Sequence, residues 1–241
     1  MTKLLEGKIA VVTGASRGIG YATAKVLAEQ GAHIIAIART VGGLEELDDE
    51  IQKMGSSATL VPLDVSDFEG LDRMGKAIYE RWGKLDILVG NAAALGITTP
   101  IGHISPKKWD TTLAVNVTAN WRLIRSLDPL LQQSDAGRAV FLTSDIAEKC
   151  TAYWGLMAIS KAALDAMVKT YAAENNTTNV TANLVSPCPI STAMRAKVMP
   201  GEDKDSLPKP MDLAKAMLPL FTGELEGNGK TYRFDGETLK A

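Results

Sequence analysis

The sequence is poor in the residues that build disulfide scaffolds and metal sites. Among its 241 residues are only two cysteines, Cys150 and Cys188, and two histidines. Two cysteines are too few for a disulfide framework, and they lack the spacing of metal ligands. We therefore expect no metal site, and this cysteine usage favours a reducing compartment.

Long apolar runs and an excess of one charge are also lacking. No apolar run approaches the roughly 18 residues that a membrane span needs, and the N-terminal MTKLLEGK lacks the apolar core of a signal peptide. A net charge of −2 and a pI near 5.8 give no electrostatic basis for binding nucleic acid. These absences predict a cytoplasmic protein with no membrane or nucleic-acid partner.

The most informative stretch that is present is TGASRGIG, at residues 13–20. It follows a β-branched apolar run and precedes a segment of helical period, and the order strand, glycine loop, helix is typical of phosphate binding. Gly14 can adopt backbone angles closed to other residues, and Gly18 lets a diphosphate approach the main chain. Gly20 lets the helix lie close to the strand. The stretch therefore predicts a dinucleotide site at the start of the first helix.

The rest of the chain alternates strands and helices, which predicts one α/β domain over residues 1–241 with a doubly wound parallel sheet. Strands are expected near 8–13, 33–38, 58–63, 86–89, 139–144, 180–185 and 230–234. Helices are expected near 18–30, 43–54, 67–82, 106–131, 154–174 and 211–221. Because compact domains rarely carry long irregular segments without a purpose, residues 187–210 are interpreted as a substrate lid, with a solvated surface excursion as the alternative.

Seven motifs in order resemble the short-chain dehydrogenase/reductase family over essentially the whole length. They are TGASRGIG at 13–20, LDV at 63–65, LDILVGNAA at 85–93, Asn116, Ser144, SKAAL at 160–164, and Pro187 with Thr192 five residues on. The resemblance implies a Rossmann-like fold with a seven-stranded parallel sheet and a nicotinamide cofactor over the carboxyl ends of the strands. It implies cofactor contacts at Gly14, Ser16, Arg17, Gly18, Ile19, Gly20, Arg39, Asp64, Val65, Asn91, Lys161, Pro187 and Thr192.

Charge at the end of the second strand predicts NADP rather than NAD. Family members that prefer NAD have an aspartate there for the ribose 2′-hydroxyl, whereas this chain has Ala38. Arg39 follows directly, and with Arg17 it could hold a 2′-phosphate by charge-assisted hydrogen bonds. Both arginines could instead be solvated surface residues.

The catalytic pattern departs from the family at one position. Asn116, Ser144 and Lys161 match three of the four usual residues. In the family the asparagine holds a water in the proton relay and the serine positions the carbonyl oxygen. The lysine binds ribose and lowers the pKa of the tyrosine. The fourth, a tyrosine one helical turn before the lysine, is replaced by Met157. The separation of 13 between Ser144 and Met157 is the family's own, so the alignment is secure. Methionine has no dissociable proton and cannot be the general acid.

Three functions remain open. The protein could be a reductase whose proton comes from Tyr153, Asp145 or a water near Lys161, although Tyr153 and Asp145 are more simply explained as surface residues. It could reduce activated double bonds or imines, with Met157 as an apolar wall. It could also be a non-catalytic NADP-binding sensor or scaffold.

Smaller departures lie beside the expected cofactor. Gly90 and Ala93 replace the Asn and Gly of the family's NNAG motif, which puts the usual geometry of that motif in question. Cys188 stands where the family has Gly after Pro187; a redox pair with Cys150 is conceivable, but a free cysteine more often packs as a small apolar residue. In the lid, Met194 and Arg195 could meet an apolar or an acidic substrate.

The two long helices predict a homodimer or homotetramer, because in relatives the equivalent helices form such contacts. The apolar residues available for this are Trp109, Val115, Val117, Trp121, Leu123, Leu164, Met167, Val168 and Tyr171. The alternative is that all of them face the sheet.

Overall fold

The computed structural model of the protein describes residues 3–241, and its core is one eight-stranded sheet in the order β3-β2-β1-β4-β5-β6-β7-β8. The strands are β1 Ile9–Thr13, β2 His33–Ala38, β3 Ala58–Pro62, β4 Ile87–Gly90, β5 Gly137–Leu142, β6 Val180–Pro187, β7 Thr231–Phe234 and β8 Leu239–Lys240. Strands β1 to β7 pair in parallel, and β8 pairs antiparallel with β7.

The predicted fold class is confirmed, and the sheet has one strand more than the seven expected. The extra strand has only two residues, too few to leave a pattern in the sequence. A tight turn produces it: the Asp235 carboxylate accepts hydrogen bonds from the backbone nitrogens of Glu237 and Thr238, at 3.0 and 2.9 Å. The turn sends the chain back along the edge of β7.

Nine α-helices lie in residues 3–241. They are α1 Gly18–Glu29, α2 Val41–Lys53, α3 Phe68–Trp82, α4 Pro106–Leu113, α5 Ala119–Leu131, α6 Ile146–Lys149, α7 Gly155–Glu174, α8 Ala193–Val198 and α9 Pro210–Thr222. The helix expected over 106–131 is interrupted by a π-helical turn, Ala114–Thr118, which separates α4 from α5. Ser105 caps α4, as a serine before proline predicts, by accepting a hydrogen bond from Lys108 N.

Helices cover both faces of the sheet, because the strand side chains on both faces are apolar. One core lies against α1, α2 and α9, with Leu27, Leu47 and Met217 fully buried. The other lies against α3, α5 and α7, where Leu71 and Leu164 are fully buried.

The central crevice lies between β1 and β4. Strand β1 pairs with β2 on one side and with β4 on the other, so the connections run in opposite directions from this point. Open α/β sheets bind ligands at the carboxyl ends of the strands where the order reverses. The glycine loop follows β1 at this place.

Candidate active site

The glycine loop adopts the backbone that its sequence predicts. Gly14 and Gly18 have φ of +66° and +62°, in the left-handed region that other residues avoid. Helix α1 begins at Gly18, and its N-cap, Arg17, makes no side-chain capping hydrogen bond. The first backbone N–H groups of α1 therefore point from a positive helix end into the loop, the arrangement that binds phosphate.

The space around Gly18 is open. A Cβ placed on it would meet only the methyl group of Thr192, at 3.7 Å. An anion can therefore approach this main chain closely. The contact also places Thr192, at the base of the expected lid, directly across from the glycine loop.

Gly20 lies close to the end of β1. A Cβ there would collide with the carbonyl oxygen of Gly14, which directly follows β1, and with the side-chain amide of Asn91. That amide donates to the carbonyl of Thr13 at 2.9 Å, and the Thr13 hydroxyl accepts from Asn91 N, also at 2.9 Å. Gly20 thus admits the side chain that supports the loop from below.

Asn91 and Thr13 join β1 to β4 beneath the loop. Besides Asn91 N, the Thr13 hydroxyl accepts from Ala92 N at 3.0 Å, and it donates to Val89 O at 3.2 Å. Thr13 was not singled out from the sequence; its position at the end of a buried strand, directly before the first glycine, is the signal that could have identified it.

One end of the crevice carries two exposed arginines. The Arg39 side chain is 72% exposed, and its only ion pair within residues 3–241 is a long one, 3.5 Å, to Asp64. Arg17 is exposed as well, whereas Val65 is buried. Burial raises the pKa of Asp64, but hydrogen bonds from Ser66 and the Arg39 charge outweigh it and leave that pKa below its usual value. Both guanidinium groups remain open to a phosphate.

Ser16 and Ile19 are half-buried in the loop. A Cβ on Gly43 would lie 2.6 Å from the carbonyl of Ser16, so α2 begins in close contact with the loop. The glycine loop thus lies against the start of α2, and Arg39, which precedes α2, pairs with Asp64.

The other end contains a buried lysine. Lys161 on α7 is 5% exposed, and its Nζ donates to the carbonyl of Leu142 at 2.6 Å, at the carboxyl end of β5. Burial lowers the pKa of Lys161 to about 8, while the negative charge of Asp165, one turn further along α7, acts in the opposite direction. Pro187 ends the neighbouring strand β6.

Asn116 lies in the π-helical turn and is fully buried. Its side-chain oxygen accepts from Ala94 N at 2.7 Å, and its nitrogen donates to Ala94 O and to the Ser160 hydroxyl, both at 3.0 Å. The backbone carbonyl of Asn116 accepts from the Asn120 side chain at 2.9 Å. Asn120, which the sequence did not single out, satisfies the carbonyl that the altered helical turn displaces.

Met157 is 7% exposed, and its sulfur lies 4.0 Å from the Asn116 side-chain nitrogen. Met157 and Asn116 are therefore in contact, and Lys161 lies one turn after Met157 on α7. Ser144 is two residues beyond the end of β5, and its hydroxyl donates to the Asp145 carboxylate at 3.3 Å.

The two substitute acids considered from the sequence lie outside this buried group. Tyr153 is 63% exposed, and its carbonyl, not its phenol, makes the contact with the preceding loop, through Thr99 N at 2.9 Å. Asp145 accepts a hydrogen bond from Lys149 at 2.6 Å. Both have the surface positions that the simpler interpretation predicted.

The segment 187–210 is less irregular than expected. It contains α8, whose N-cap Thr192 accepts from Arg195 N at 3.2 Å. The Arg195 guanidinium forms two hydrogen bonds with the Glu202 carboxylate, at 2.6 and 2.7 Å. This pair joins two positions of the same segment. It neutralises the positive charge of Arg195, which could otherwise have bound an acidic substrate.

Neither cysteine forms a disulfide: both Cys150 and Cys188 are free thiols. Cys150 is exposed, and Cys188 is half-buried. Burial, together with the nearby negative charge of Asp235, raises the pKa of the Cys188 thiol, which disfavours the reactive thiolate.

Gly90 is explained by its neighbour on β5. A Cβ on Gly90 would overlap the ring of Phe141, which is fully buried. The Phe141 ring thus fills the space that a side chain at position 90 would need.

Residues 3–241 contain no group of three or more acidic, cysteine or histidine side chains placed to hold a metal ion. In the same residues, no helix is long and apolar enough to cross a bilayer.

Comparison with known proteins agrees with this geometry. The family model for short chain dehydrogenase matches residues 8–203. The oxidoreductase YciK of Escherichia coli strain K12 is 34% identical over 221 residues, which cover 90% of this chain and 86% of YciK.

Solved structures match over almost the whole chain. A short chain dehydrogenase of Shigella flexneri 2a strain 301, solved in complex with NADP, is 32% identical, with a TM-score of 0.92 over 97% of this chain and 99% of its own. One from Escherichia coli CFT073, in complex with NADPH, is 32% identical, with a TM-score of 0.90 over 97% and 98%. With its doubly wound sheet, its glycine loop and its lysine-bearing helix, the chain belongs to the short-chain dehydrogenase family.

Proposed function

We propose that this protein is an NADP(H)-dependent oxidoreductase that transfers hydride to a small carbonyl, enone or imine substrate at an active site altered at Met157. The observation that carries the proposal is the cradle formed by the glycine loop. Gly14 and Gly18 are left-handed, α1 presents uncapped N–H groups, and the space above Gly18 is open. These features are complementary to a diphosphate.

The two exposed arginines support NADP as the form that binds. Arg39 and Arg17 lie where the 2′-phosphate would be held, and Ala38 offers no carboxylate to the ribose. Two related structures were solved with NADP or NADPH. Thr192 would hold the nicotinamide carboxamide, and Asn91 would lie beneath the adenosine ribose.

When bound, the reduced nicotinamide supplies the hydride. The chain's own residues orient the substrate and control its charge. The Ser144 hydroxyl, at the carboxyl end of β5, would donate to the substrate carbonyl oxygen, leaving its present partner Asp145. Asn116 is locked by three side-chain hydrogen bonds and fixes the helical turn that faces Met157 and Lys161.

Apolar side chains at the mouth favour a neutral, apolar substrate. Large exposed side chains lie on the loops after β4, β5 and β6, at the same edge of the sheet as the site: Ile97, Ile101, Tyr153, Met194 and Met199. Glu202 neutralises Arg195, and the lid presents the exposed side chains of Met194 and Met199 beside this pair. An apolar ketone or enone therefore suits this mouth better than a carboxylic acid.

A second function, a non-catalytic NADP-binding sensor or scaffold, is favoured by one observation. The position of the usual acid is filled by a buried thioether beside Asn116, and methionine offers no proton.

We further propose a homodimer or homotetramer. Of the apolar residues expected at its interface, Leu123, Leu164, Val168 and Tyr171 are instead buried in the protein's own core, while Trp121 is 46% exposed.

NADPH affinity, followed by cofactor or tryptophan fluorescence, tests the cradle. Gly18→Ala should weaken NADPH binding about tenfold or more, a change of at least 1.4 kcal/mol, because a methyl group would stand where the diphosphate approaches. Gly7→Ala is the matched control, since Gly7 has a similar φ, +73°, with no atom within 4 Å of a Cβ there. Equal losses in both variants would contradict the assignment of the loop.

Turnover then separates the two functions. NADPH oxidation with a panel of apolar ketones, enones and imines should reveal at least one substrate that is reduced. Tight NADPH binding with no turnover on any of the three classes would support the sensor instead. Absence of NADPH binding would overturn both functions.

A further inference from the structure

The site must supply a proton for each carbonyl that is reduced, and Met157 cannot give one. Three other groups near the end of β5 could carry a proton: Tyr153, Asp145 and Lys161. The Tyr153 side chain is mostly in solvent, and the Asp145 carboxylate accepts hydrogen bonds from both Lys149 and Ser144. Only Lys161 is both buried and a proton donor.

The hydrogen bonds of Lys161 leave protons available. An ammonium group has three N–H donors, and one of them is used by the carbonyl of Leu142, at 2.6 Å. Within residues 3–241 the structure shows no second acceptor and no ion pair for this nitrogen. A desolvated ammonium with one acceptor is an acid that readily loses a proton.

The position of Lys161 directs this acid toward the substrate. Leu142, which holds the ammonium, precedes Ser144 by two residues, so Nζ lies beneath the carboxyl end of β5. Met157 is one turn earlier on the same face of α7. With a thioether at that position, no hydroxyl stands between the ammonium and a carbonyl held at Ser144.

We propose that Lys161 is the proton donor of the reduction; this inference rests on the proposed function. The hydride of the reduced nicotinamide adds to the carbonyl carbon, and the carbonyl π bond breaks toward oxygen. That oxygen takes a proton from Nζ, so an O–H bond forms as an N–H bond breaks. The carbonyl is reduced to an alcohol, NADPH is oxidised to NADP⁺, and the neutral amine regains its proton from water.

One charged group, Asp165 on α7, acts directly on the acidity of Lys161. Lys169 on α7 and Glu148 on α6, which packs against it, act instead on the pKa of Asp165. Asp165 is half-buried, and its negative charge favours the ammonium. Burial outweighs that charge and leaves the pKa of Lys161 at about 8.

The pH profile of reduction is the first test. Because the ammonium form is required, ketone reduction should be constant below the pKa of Lys161 and fall tenfold per pH unit above it, with a midpoint near 8. In alcohol oxidation the neutral amine is required, so the rate should instead rise with pH up to the same midpoint. Asp165→Asn removes the charge that favours the ammonium, so its midpoint should move to lower pH, a shift that a purely structural role would not produce.

A second test does not depend on turnover. In protein labelled with ¹³C at lysine Cε, one resonance should titrate near pH 8, well below the ordinary lysine value of about 10.4. That resonance should be missing in Lys161→Met and present in Lys169→Met, a control at an exposed lysine of the same helix. A Lys161 resonance that titrates with the exposed lysines would overturn the proposal.

Lys161→Arg provides the third test, because arginine keeps the cation and the donors but does not deprotonate. It should lower kcat for ketone reduction by about 10²- to 10⁴-fold, the usual contribution of a positioned acid, with a smaller change in NADPH affinity. Full turnover in Lys161→Arg would sink the inference. A wild-type protein that does not bind NADPH would instead overturn the proposed function. Failure of the inference about Lys161 and failure of the proposed function are therefore distinguishable.

Discussion

The sulfur of Met157 lies 4.0 Å from the side-chain nitrogen of Asn116, so a weak hydrogen-bond acceptor lies beside this buried amide, at the position where the family resemblance predicts a phenol. The Asn116 amide is satisfied by Ala94 and Ser160 without it. The polar groups beside position 157 therefore have their hydrogen-bond partners, but the side chain at this position has no proton to donate to a substrate.

Restoring the phenol should raise activity. Met157→Tyr places a second acid one turn from Lys161, and we expect ketone reduction with NADPH to increase, by up to the factor of about 10² to 10⁴ that a positioned acid contributes. Steady-state kcat on the best ketone measures it. Met157→Phe is the control, since it adds the ring without the hydroxyl; an equal gain in both variants would show that the effect is one of shape.

Arg39 should determine the preference for NADP. Arg39→Ala removes a charge-assisted hydrogen-bond donor, worth about 1.5–3 kcal/mol, or roughly 10- to 100-fold in NADPH affinity. NADH affinity, measured by the same titration, should not change. Arg73→Ala, at another exposed arginine, on α3, is the control. A parallel loss for NADH would show that Arg39 does not read the 2′-phosphate.

Asp86 should stabilise the fold in a pH-dependent way. Its carboxylate is 1% exposed and accepts from Ser134 Oγ at 2.6 Å, Ile9 N at 2.9 Å and Lys84 Nζ at 3.1 Å. Burial raises the pKa of Asp86, but these bonds outweigh it and the net shift is downward. A lowered folded-state pKa means that the stabilisation is present above the unfolded value of about 3.9 and is lost as pH falls through the folded value.

Asp86→Asn should therefore lower the free energy of unfolding at pH 7 by about 2–3 kcal/mol, and the difference from wild type should shrink below about pH 4. Urea unfolding at the two pH values measures both. Asp72→Asn is the control, because Asp72 pairs with Arg122 near the surface and such pairs contribute about 1 kcal/mol or less. A difference between wild type and Asp86→Asn that is independent of pH would contradict the role of the charge.

Gly90 should not tolerate a side chain while Phe141 is present. Gly90→Ala forces the Phe141 ring to move, and we expect a loss of about 1–3 kcal/mol in the free energy of unfolding. At Gly42 on α2, a Cβ would meet no atom within 4 Å, so Gly42→Ala should be neutral or slightly stabilising. A variant Gly90→Ala as stable as wild type would disprove that the Phe141 ring fills the space needed by a side chain at position 90.

Trp121 should lie at the interface between subunits. It is 46% exposed on α5, with the Arg122 and Arg125 guanidinium groups 5.2 and 5.9 Å from its ring. Trp121→Glu should shift the molar mass measured by light scattering toward that of a monomer. Val41→Glu, an exposed apolar residue on the opposite face of the sheet, should leave it unchanged. A wild-type monomer at micromolar concentration would reject the oligomer.

Most of the fold could be predicted from the sequence, because most strands are short, largely apolar runs and glycine, serine and proline mark the turns. β8 could not, since two residues carry no periodicity. The π-helical turn at Ala114–Thr118 could not either, because its residues continue the apolar pattern of an ordinary helix.

The motifs predict which residues belong to the site, but the hydrogen-bond and packing partners of these residues came only from the structure. Nothing in the sequence pairs Asn120 with the carbonyl of Asn116, or Phe141 with the space beside Gly90, because these are contacts between distant segments. Likewise, the spacing places Lys161 one turn after Met157, whereas its burial and its single acceptor depend on how α7 packs against β5.

The hydrogen bonds from Asn91 to Thr13 and Gly14 have a thermodynamic consequence for cofactor capture. The loop is held in its phosphate-binding shape by the neighbouring strand, so no chain segment has to be ordered when the diphosphate arrives. The conformational entropy of the loop is lost during folding rather than on association. The stability of the β1–β4 junction and the readiness of the loop for a cofactor consequently both depend on the Asn91 side chain.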